Sequence, residues 1–211
     1  MDRTRSQVTS LIATACVALG LGVVVVRRRS VALTLVTAQS LLLASVALWR
    51  TSGHLELLPA AGGLLLRAVA IATILGIGIA RTRESQPVRA GIEPMARAVI
   101  ALAAVLAIPA LVPSLGFGDQ NAQRAAIALG VLGIVIALTR RATILQILGI
   151  IVAENGATLA ALSASNAVPD VIGLGVIFDL LLIAVVASAF HTRIFGQFGS
   201  GDTAHLRELH D

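Results

Sequence analysis

Two carboxylates, Glu154 and Asp179, lie near the middle of long apolar stretches of this chain. An acid at the centre of a membrane helix costs about 2.5 to 3.5 kcal/mol on insertion scales, so it is expected to serve a function and to have a polar partner. Arg67 is the one cation deep inside an apolar stretch and is the obvious partner for Asp179. Such a buried pair either fixes helix register or controls proton movement, and the sequence leaves both roles open.

Glu154 lies thirteen residues after Arg141, which is about 20 Å along a helix and therefore well inside a membrane. We interpret it as a relay acid that accepts and passes on a proton, because hydrocarbon disfavours the ionised form. The alternative is a protonated acid that only packs against a neighbouring helix. Gln39, Gln146 and Asn155 could extend a polar line between the acids, or could act as interhelical hydrogen-bonding residues.

The other reactive side chains predict no catalytic or metal site. His191 follows the last apolar stretch, where it could pass protons at neutral pH or simply mark the membrane interface. Cys16 is the one cysteine, so a disulfide or a CxxC site within this chain is excluded. HExxH, GxSxG and phosphate-loop motifs are absent from the sequence. We therefore expect no cofactor and no metal, and any redox chemistry would belong to partner subunits.

The composition is that of a membrane protein, with 57% hydrophobic and 13% charged residues and a mean hydropathy of +0.92. Apolar runs of about 20 residues, which match a hydrocarbon core of about 30 Å, predict seven transmembrane segments. Backbone amides in lipid must bond within their own element, and no strand-length alternation occurs, so the predicted fold is all-α and polytopic. The segments are Val8–Val26, Val31–Trp49, Pro59–Ala80, Met95–Pro113, Ala122–Thr139, Thr143–Ser163 and Val168–Phe190.

Arginines account for all 16 basic residues, and they indicate an orientation. With seven crossings, eleven of them fall on one side, four fall on the other and Arg67 lies inside a segment. The positive-inside rule then predicts a multi-pass protein of the plasma membrane with an outside N-terminus and a cytoplasmic C-terminus. Aromatic residues make up only 3%, and tyrosine is absent, so we expect a lipid bilayer and no nucleic acid among the partners.

A shift of the sequence by 112 residues suggests an internal repeat. It places Arg28 and Arg29 on Arg140 and Arg141, and Arg67 on Asp179, while three apolar segments overlay three others. The repeat would consist of two parallel three-helix units; chance alignment of evenly spaced helices is the alternative. The predicted division is an N-terminal three-helix unit with a cytoplasmic loop (1–94), a connecting helix (95–119), a C-terminal three-helix unit (120–194) and a cytoplasmic tail (195–211).

The stretch from Asn121 to Arg193 contains a series of short motifs. In chain order they are Val131-Leu132-Gly133, Arg140-Arg141, Gln146-Ile147-Leu148-Gly149, Glu154-Asn155-Gly156, Phe178-Asp179, His191 and Arg193. With these motifs the stretch resembles hydrogenase-4 component E, a family similar to the small K-type subunit of respiratory complex I. The N-terminal half shares only length and segment number with that family. In the hydrogenase family this subunit is a non-catalytic membrane part of a nickel–iron, complex I-like assembly.

The resemblance implies that Glu154 and Asp179 belong to a proton relay, with antiporter-like membrane subunits and soluble hydrogenase-like subunits as partners. Two departures stand out. The first acid of the K-type subunit corresponds to Ile151, one turn before Glu154, and its second acid is usually glutamate where this chain has Asp179. Two competing hypotheses are a free-standing transporter in which Arg67 and the acids form a midplane site, and a structural scaffold.

Overall fold

The computed structural model describes residues 2–51, 58–82, 93–113 and 120–163. Within these ranges it contains six α-helices, each with an apolar window long enough to cross a membrane. The described part of the chain is therefore all-helical, and its six apolar helices indicate a multi-pass membrane protein. The helices are α1 (Asp2–Val25), α2 (Arg29–Thr51), α3 (Leu58–Thr82), α4 (Pro94–Leu111), α5 (Gln120–Thr139) and α6 (Thr143–Ser163).

Six of the seven predicted segments correspond to these helices, so the described residues hold six membrane helices rather than seven. The predicted segment Val168–Phe190 lies outside the described residues. The fourth helix is shorter than predicted, because it ends at Leu111 and not at Pro113. Val112 is already extended, with φ −82° and ψ 123°, since a residue that precedes proline is disfavoured in the helical region.

Successive helices run in opposite directions, so each of the six described helices has one end at the same face of the bundle. The end of α1 contacts Arg97 from the first turn of α4 and Arg140 from the connection between α5 and α6. The most extensive contact joins α5 to α6. α1 and α2 pack beside that pair, α4 packs on α1 and α5, and α3 packs on α2.

Glycines allow the backbones of α5 and α6 to touch. A Cβ atom at Gly133 would overlap the carbonyl oxygen of Gly149 and lie 2.5 Å from the Cβ of Ala153. A Cβ at Gly156, two turns further along α6, would lie 2.6 Å from the carbonyl oxygen of Ala126. In lipid, apolar surface gives no driving force for helix association, so close packing of small residues has to supply it.

α4 is the helix most exposed to the surroundings. Leu106 is 67% exposed and Leu111 is 80% exposed, and only 17% of the apolar window of α4 is buried within the protein. Large exposed apolar side chains also occur on α1, α2, α3, α5 and α6. An apolar outer surface of this kind is solvated well by a bilayer and poorly by water.

We expect Gly133→Ala to lower the free energy of unfolding by about 1 to 3 kcal/mol, the usual effect of overpacking. The added methyl group would meet the α6 backbone, so the two helices would have to separate. Gly130→Ala on the same helix is the matched control, because a Cβ there has nothing within 4 Å and alanine is the better helix former. Unfolding in mixed detergent micelles measures both variants, and equal stability would contradict the tight α5–α6 contact.

Candidate functional site

The centre of the described bundle holds a buried ion pair between Arg67 of α3 and Glu154 of α6. Nη1 of Arg67 lies 3.6 Å from Oε1 of Glu154. The Arg67 side chain is 2% exposed and that of Glu154 is 17% exposed. The arginine is thus enclosed by protein, whereas part of the Glu154 side chain reaches the surface of the bundle.

Arg67 is also held by two neutral acceptors on α6. Nη2 donates to Oδ1 of Asn155 at 3.4 Å, and Nη1 donates to Oγ1 of Thr158 at 3.4 Å. Nε of Arg67 is buried and has no hydrogen-bond partner among the described residues. Because Glu154 and Thr158 are four residues apart, they share a face of α6 and both meet the guanidinium. Arg67 therefore keeps two partners whatever the charge state of Glu154.

A directed chain of amide hydrogen bonds runs from Arg67 across the bundle. Nδ2 of Asn155 donates to Oε1 of Gln39 at 2.8 Å, and Nε2 of Gln39 donates to the backbone oxygen of Cys16 at 2.8 Å. The hydroxyl of Ser40 lies 3.2 Å from Nδ2 and 3.3 Å from Oδ1 of Asn155. The chain thus connects α3, α6, α2 and α1, and such bonds polarise one another in a medium of low dielectric constant.

The cluster lies deep in the membrane. Gln39 is the eleventh residue of α2, Arg67 is the tenth of α3 and Glu154 is the twelfth of α6. Each is about 14 to 17 Å along its helix at 1.5 Å per residue, roughly half of a 30 Å hydrocarbon core. At that depth the groups must satisfy one another, because the bilayer offers no hydrogen bonds.

Glu154 is the titratable acid of this cluster within the described ranges. Side-chain amides do not exchange protons near neutral pH, so Asn155 and Gln39 position Arg67 and do not carry protons themselves. The arginine places a positive charge 3.6 Å from the carboxylate. The arrangement can therefore bind and release a proton at one acid while a fixed cation remains beside it.

The residues predicted from the sequence are distributed unevenly around this cluster. Arg67, Glu154, Asn155 and Gln39 come together. Gln146 lies apart from the cluster. Its Nε2 donates to the backbone oxygen of Arg140 at 2.9 Å. The predicted Asp179 partner of Arg67 and the predicted interfacial His191 lie outside the described residues.

Two members of the cluster were not predicted, namely Ser40 and Thr158. Each has a signal in the sequence, since Ser40 adjoins Gln39 and Thr158 follows Glu154 by one helical turn. Small hydroxyl residues are frequent in membrane helices and usually bond to their own backbone. Thr14 and Thr34 do so here, each donating to the carbonyl four residues earlier. The sequence therefore could not distinguish the hydroxyls that contact another helix from those that bond to their own backbone.

A second group of polar contacts lies at the face of the bundle where α1 ends, which we call the arginine-rich face. There Arg97 and Arg140 bind the end of α1. Nε of Arg97 donates to the oxygen of Val24 at 2.8 Å. Nη2 of Arg140 lies 3.0, 2.8 and 2.5 Å from the oxygens of Val23, Val24 and Val26. The last carbonyls of a helix lack intrahelical donors and carry partial negative charge, so two buried guanidinium groups stabilise this terminus.

Arg140 is 6% exposed, and its surroundings disfavour its charge. Burial, and to a smaller extent the nearby positive charge of Arg97, lower the pKa of its guanidinium to about 10. A pKa of about 10 still leaves Arg140 protonated at neutral pH. The α1 terminus is therefore held by a charged group under repulsion from its neighbour.

Comparison with known proteins finds a partial relative. The chain is 31% identical over 91 residues to the uncharacterized protein Rv0085 of Mycobacterium tuberculosis, and this match covers 43% of the chain and 41% of that protein. The chain thus spans less than half the length of the curated relative it matches. No family model matches the chain, and no solved structure matches it significantly. Among the described residues, no group of three histidine, cysteine or acidic side chains could hold a metal ion.

We expect Arg67→Leu to lower the free energy of unfolding by about 3 to 5 kcal/mol, because it leaves the Glu154 carboxylate uncompensated at mid-membrane depth. Arg67→Leu/Glu154→Leu should be less destabilised than Arg67→Leu alone, since both charges are then removed. Thr73→Val on α3 is the control, because that hydroxyl bonds within its own helix. Unfolding of these variants and of Glu154→Leu alone in mixed micelles tests the pair, and additive effects of the two single substitutions would show that the charges do not interact.

We expect Arg140→Gln to lower the free energy of unfolding by about 1 to 3 kcal/mol, because the α1 carbonyls lose buried donors. Hydrogen exchange of the amides near Val26 should rise at the same time, since the last turn of α1 would fray. Arg28→Gln removes an exposed arginine from the same face and should change stability by less than about 0.5 kcal/mol. Equal effects of the two substitutions would indicate that only net charge matters at this face.

Proposed function

We propose that this protein is a non-catalytic membrane subunit of a hydrogenase-4-like, energy-coupling redox complex, in which Glu154 belongs to a proton-translocation pathway. The observation that carries the proposal is the Arg67–Glu154 pair, a titratable acid beside a fixed cation 3.6 Å away in the middle of the bundle. The resemblance of the C-terminal half to hydrogenase-4 component E supplies the type of complex. The partners would be antiporter-like membrane subunits and soluble hydrogenase-like subunits.

The contacts of Arg67 support a relay more than a simple structural pair. A structural salt bridge gains most when each charge has its best partner in the other. Here Arg67 is anchored by Asn155 and Thr158, and the distance to Glu154 exceeds a hydrogen bond. Glu154 can therefore gain and lose a proton while the guanidinium stays in place.

The partial exposure of Glu154 supports exchange with another chain. Its side chain is 17% exposed at mid-membrane depth, where lipid would solvate a carboxylate poorly. A neighbouring subunit that presents polar groups or water to this surface would provide the next proton acceptor. Asp179 would be a second acid of the same pathway, with His191 at its cytoplasmic end.

The helix boundaries are consistent with the proposed pair of parallel three-helix repeats. A shift of 112 residues places Thr51, the end of α2, on Ser163, the end of α6. α1 packs on α2 as α5 packs on α6. Val168–Phe190 would then be the seventh membrane helix, equivalent to α3.

The excess of arginines at one face would be cytoplasmic, which gives an outside N-terminus in the plasma membrane.

The test is proton translocation by the intact assembly, isolated from native membranes through a tag on this chain so that its partners are identified. We expect Glu154→Gln to preserve assembly and redox turnover and to reduce protons moved per turnover at least tenfold, because glutamine keeps the shape and removes the titrating group. Glu154→Asp should retain part of the translocation. Ser163→Ala is the matched control on α6, since that buried hydroxyl bonds only within its helix.

Unchanged translocation in Glu154→Gln would exclude the relay role and favour the scaffold hypothesis. Recovery of this chain without redox subunits would exclude the hydrogenase-like assembly. Ion or solute transport by the purified chain in liposomes, abolished by Glu154→Gln, would instead identify a free-standing transporter.

A further inference from the structure

The arginine-rich face contains more positive charge than the described residues neutralise there. Arg97 is 1% exposed and Arg140 is 6% exposed, and neither forms an ion pair with a described acid. Nη2 of Arg97 and Nε of Arg140 are buried without a hydrogen-bond partner among the described residues. Two buried cations thus bond to carbonyl oxygens and retain unused donors.

Exposed arginines lie directly beside this buried pair. Arg27 and Arg28 follow α1 in the turn to α2, and both are exposed. Nη2 of Arg140 bonds to the carbonyl of Val26, the residue before Arg27. The charge of Arg27 acts on Arg97, and that of Arg97 acts on Arg140. Arg27, Arg97 and Arg140 are thus coupled, and together with the adjacent exposed Arg28 they form what we call the arginine cluster.

Helix termini of both kinds lie at this face, because α2, α4 and α6 begin there and α1, α3 and α5 end there. The partial charges of helix starts and helix ends have opposite sign and offset one another. The positive potential of the face therefore comes from the arginines. The described acid nearest to the cluster is Glu93, an exposed single charge before α4, and it leaves the cluster strongly positive.

We propose that the arginine cluster is a specific binding site for the phosphate of an anionic phospholipid headgroup. The phosphate would contact the exposed Arg27 and Arg28, while the buried Arg97 and Arg140 add attraction through protein of low dielectric constant and fix the turn that presents the exposed pair. A lipid is favoured over a soluble anion because the cluster lies at the ends of membrane helices, where headgroups are concentrated. Binding would in turn offset the repulsion among the four cations.

The experiment measures lipid affinity of the purified full chain in nanodiscs of phosphatidylcholine with increasing phosphatidylglycerol. Thermal unfolding and native mass spectrometry report binding. We expect phosphatidylglycerol to raise the unfolding temperature and to remain bound to the protein in the mass spectrometer. Arg27→Gln/Arg28→Gln should weaken binding about 30-fold, which corresponds to about 2 kcal/mol. High salt should weaken binding by the unsubstituted chain, because exposed charges are screened.

The matched control removes two arginines from the opposite face. Arg50 lies at the far end of α2 and Arg124 in the first turns of α5, so Arg50→Gln/Arg124→Gln changes net charge equally and should change affinity less than threefold. Equal weakening in both double variants would overturn the site in favour of diffuse attraction. Stabilisation by inorganic phosphate alone, or displacement of the lipid by polyglutamate at lower concentration, would overturn the lipid assignment in favour of a soluble anion or an acidic protein segment.

Discussion

The described structure is organised around one constraint, a guanidinium group that is almost fully buried at the middle of a membrane. Arg67 carries a guanidinium group, whose positive charge hydrocarbon cannot solvate. Protein must therefore supply its partners. Glu154, Asn155 and Thr158 do so from a single face of α6, and Gln39 with Ser40 holds Asn155 from α2. The polar chain thus fixes how four helices are rotated relative to one another.

Close helix packing makes this polar chain possible. The glycine contacts between α5 and α6 bring two backbones together without bulky side chains, and α6 then presents its polar face to α2 and α3. α1 is held against the same assembly at two levels. Gln39 reaches its middle at Cys16, and Arg97 and Arg140 hold its end at Val24. Hydrogen bonds and the close packing of small residues thus stabilise helix association, which the hydrophobic effect stabilises in water-soluble proteins.

The same residue type performs different tasks at different depths. Arg67 at mid-depth is paired with an acid, whereas Arg97 and Arg140 at the helix ends bind backbone carbonyls. Arginine suits all three positions because its fixed donors can reach several acceptors at once. All 16 basic residues of this chain are arginine. The compact ammonium group of lysine would not bind several buried acceptors in the same fixed geometry.

The sequence by itself determined the class of protein and the positions of six membrane helices, because the length of an apolar run is matched directly to the thickness of a bilayer. It also identified Arg67, Glu154, Asn155 and Gln39 as polar groups placed too deep to be solvated by water. Only the tertiary structure decided which of them meet. Membrane helices are apolar on nearly every side, so their hydropathy pattern does not encode rotation or neighbours. The pairing of Arg67 with Glu154, and the capping of α1 by Arg140, depend on that rotation.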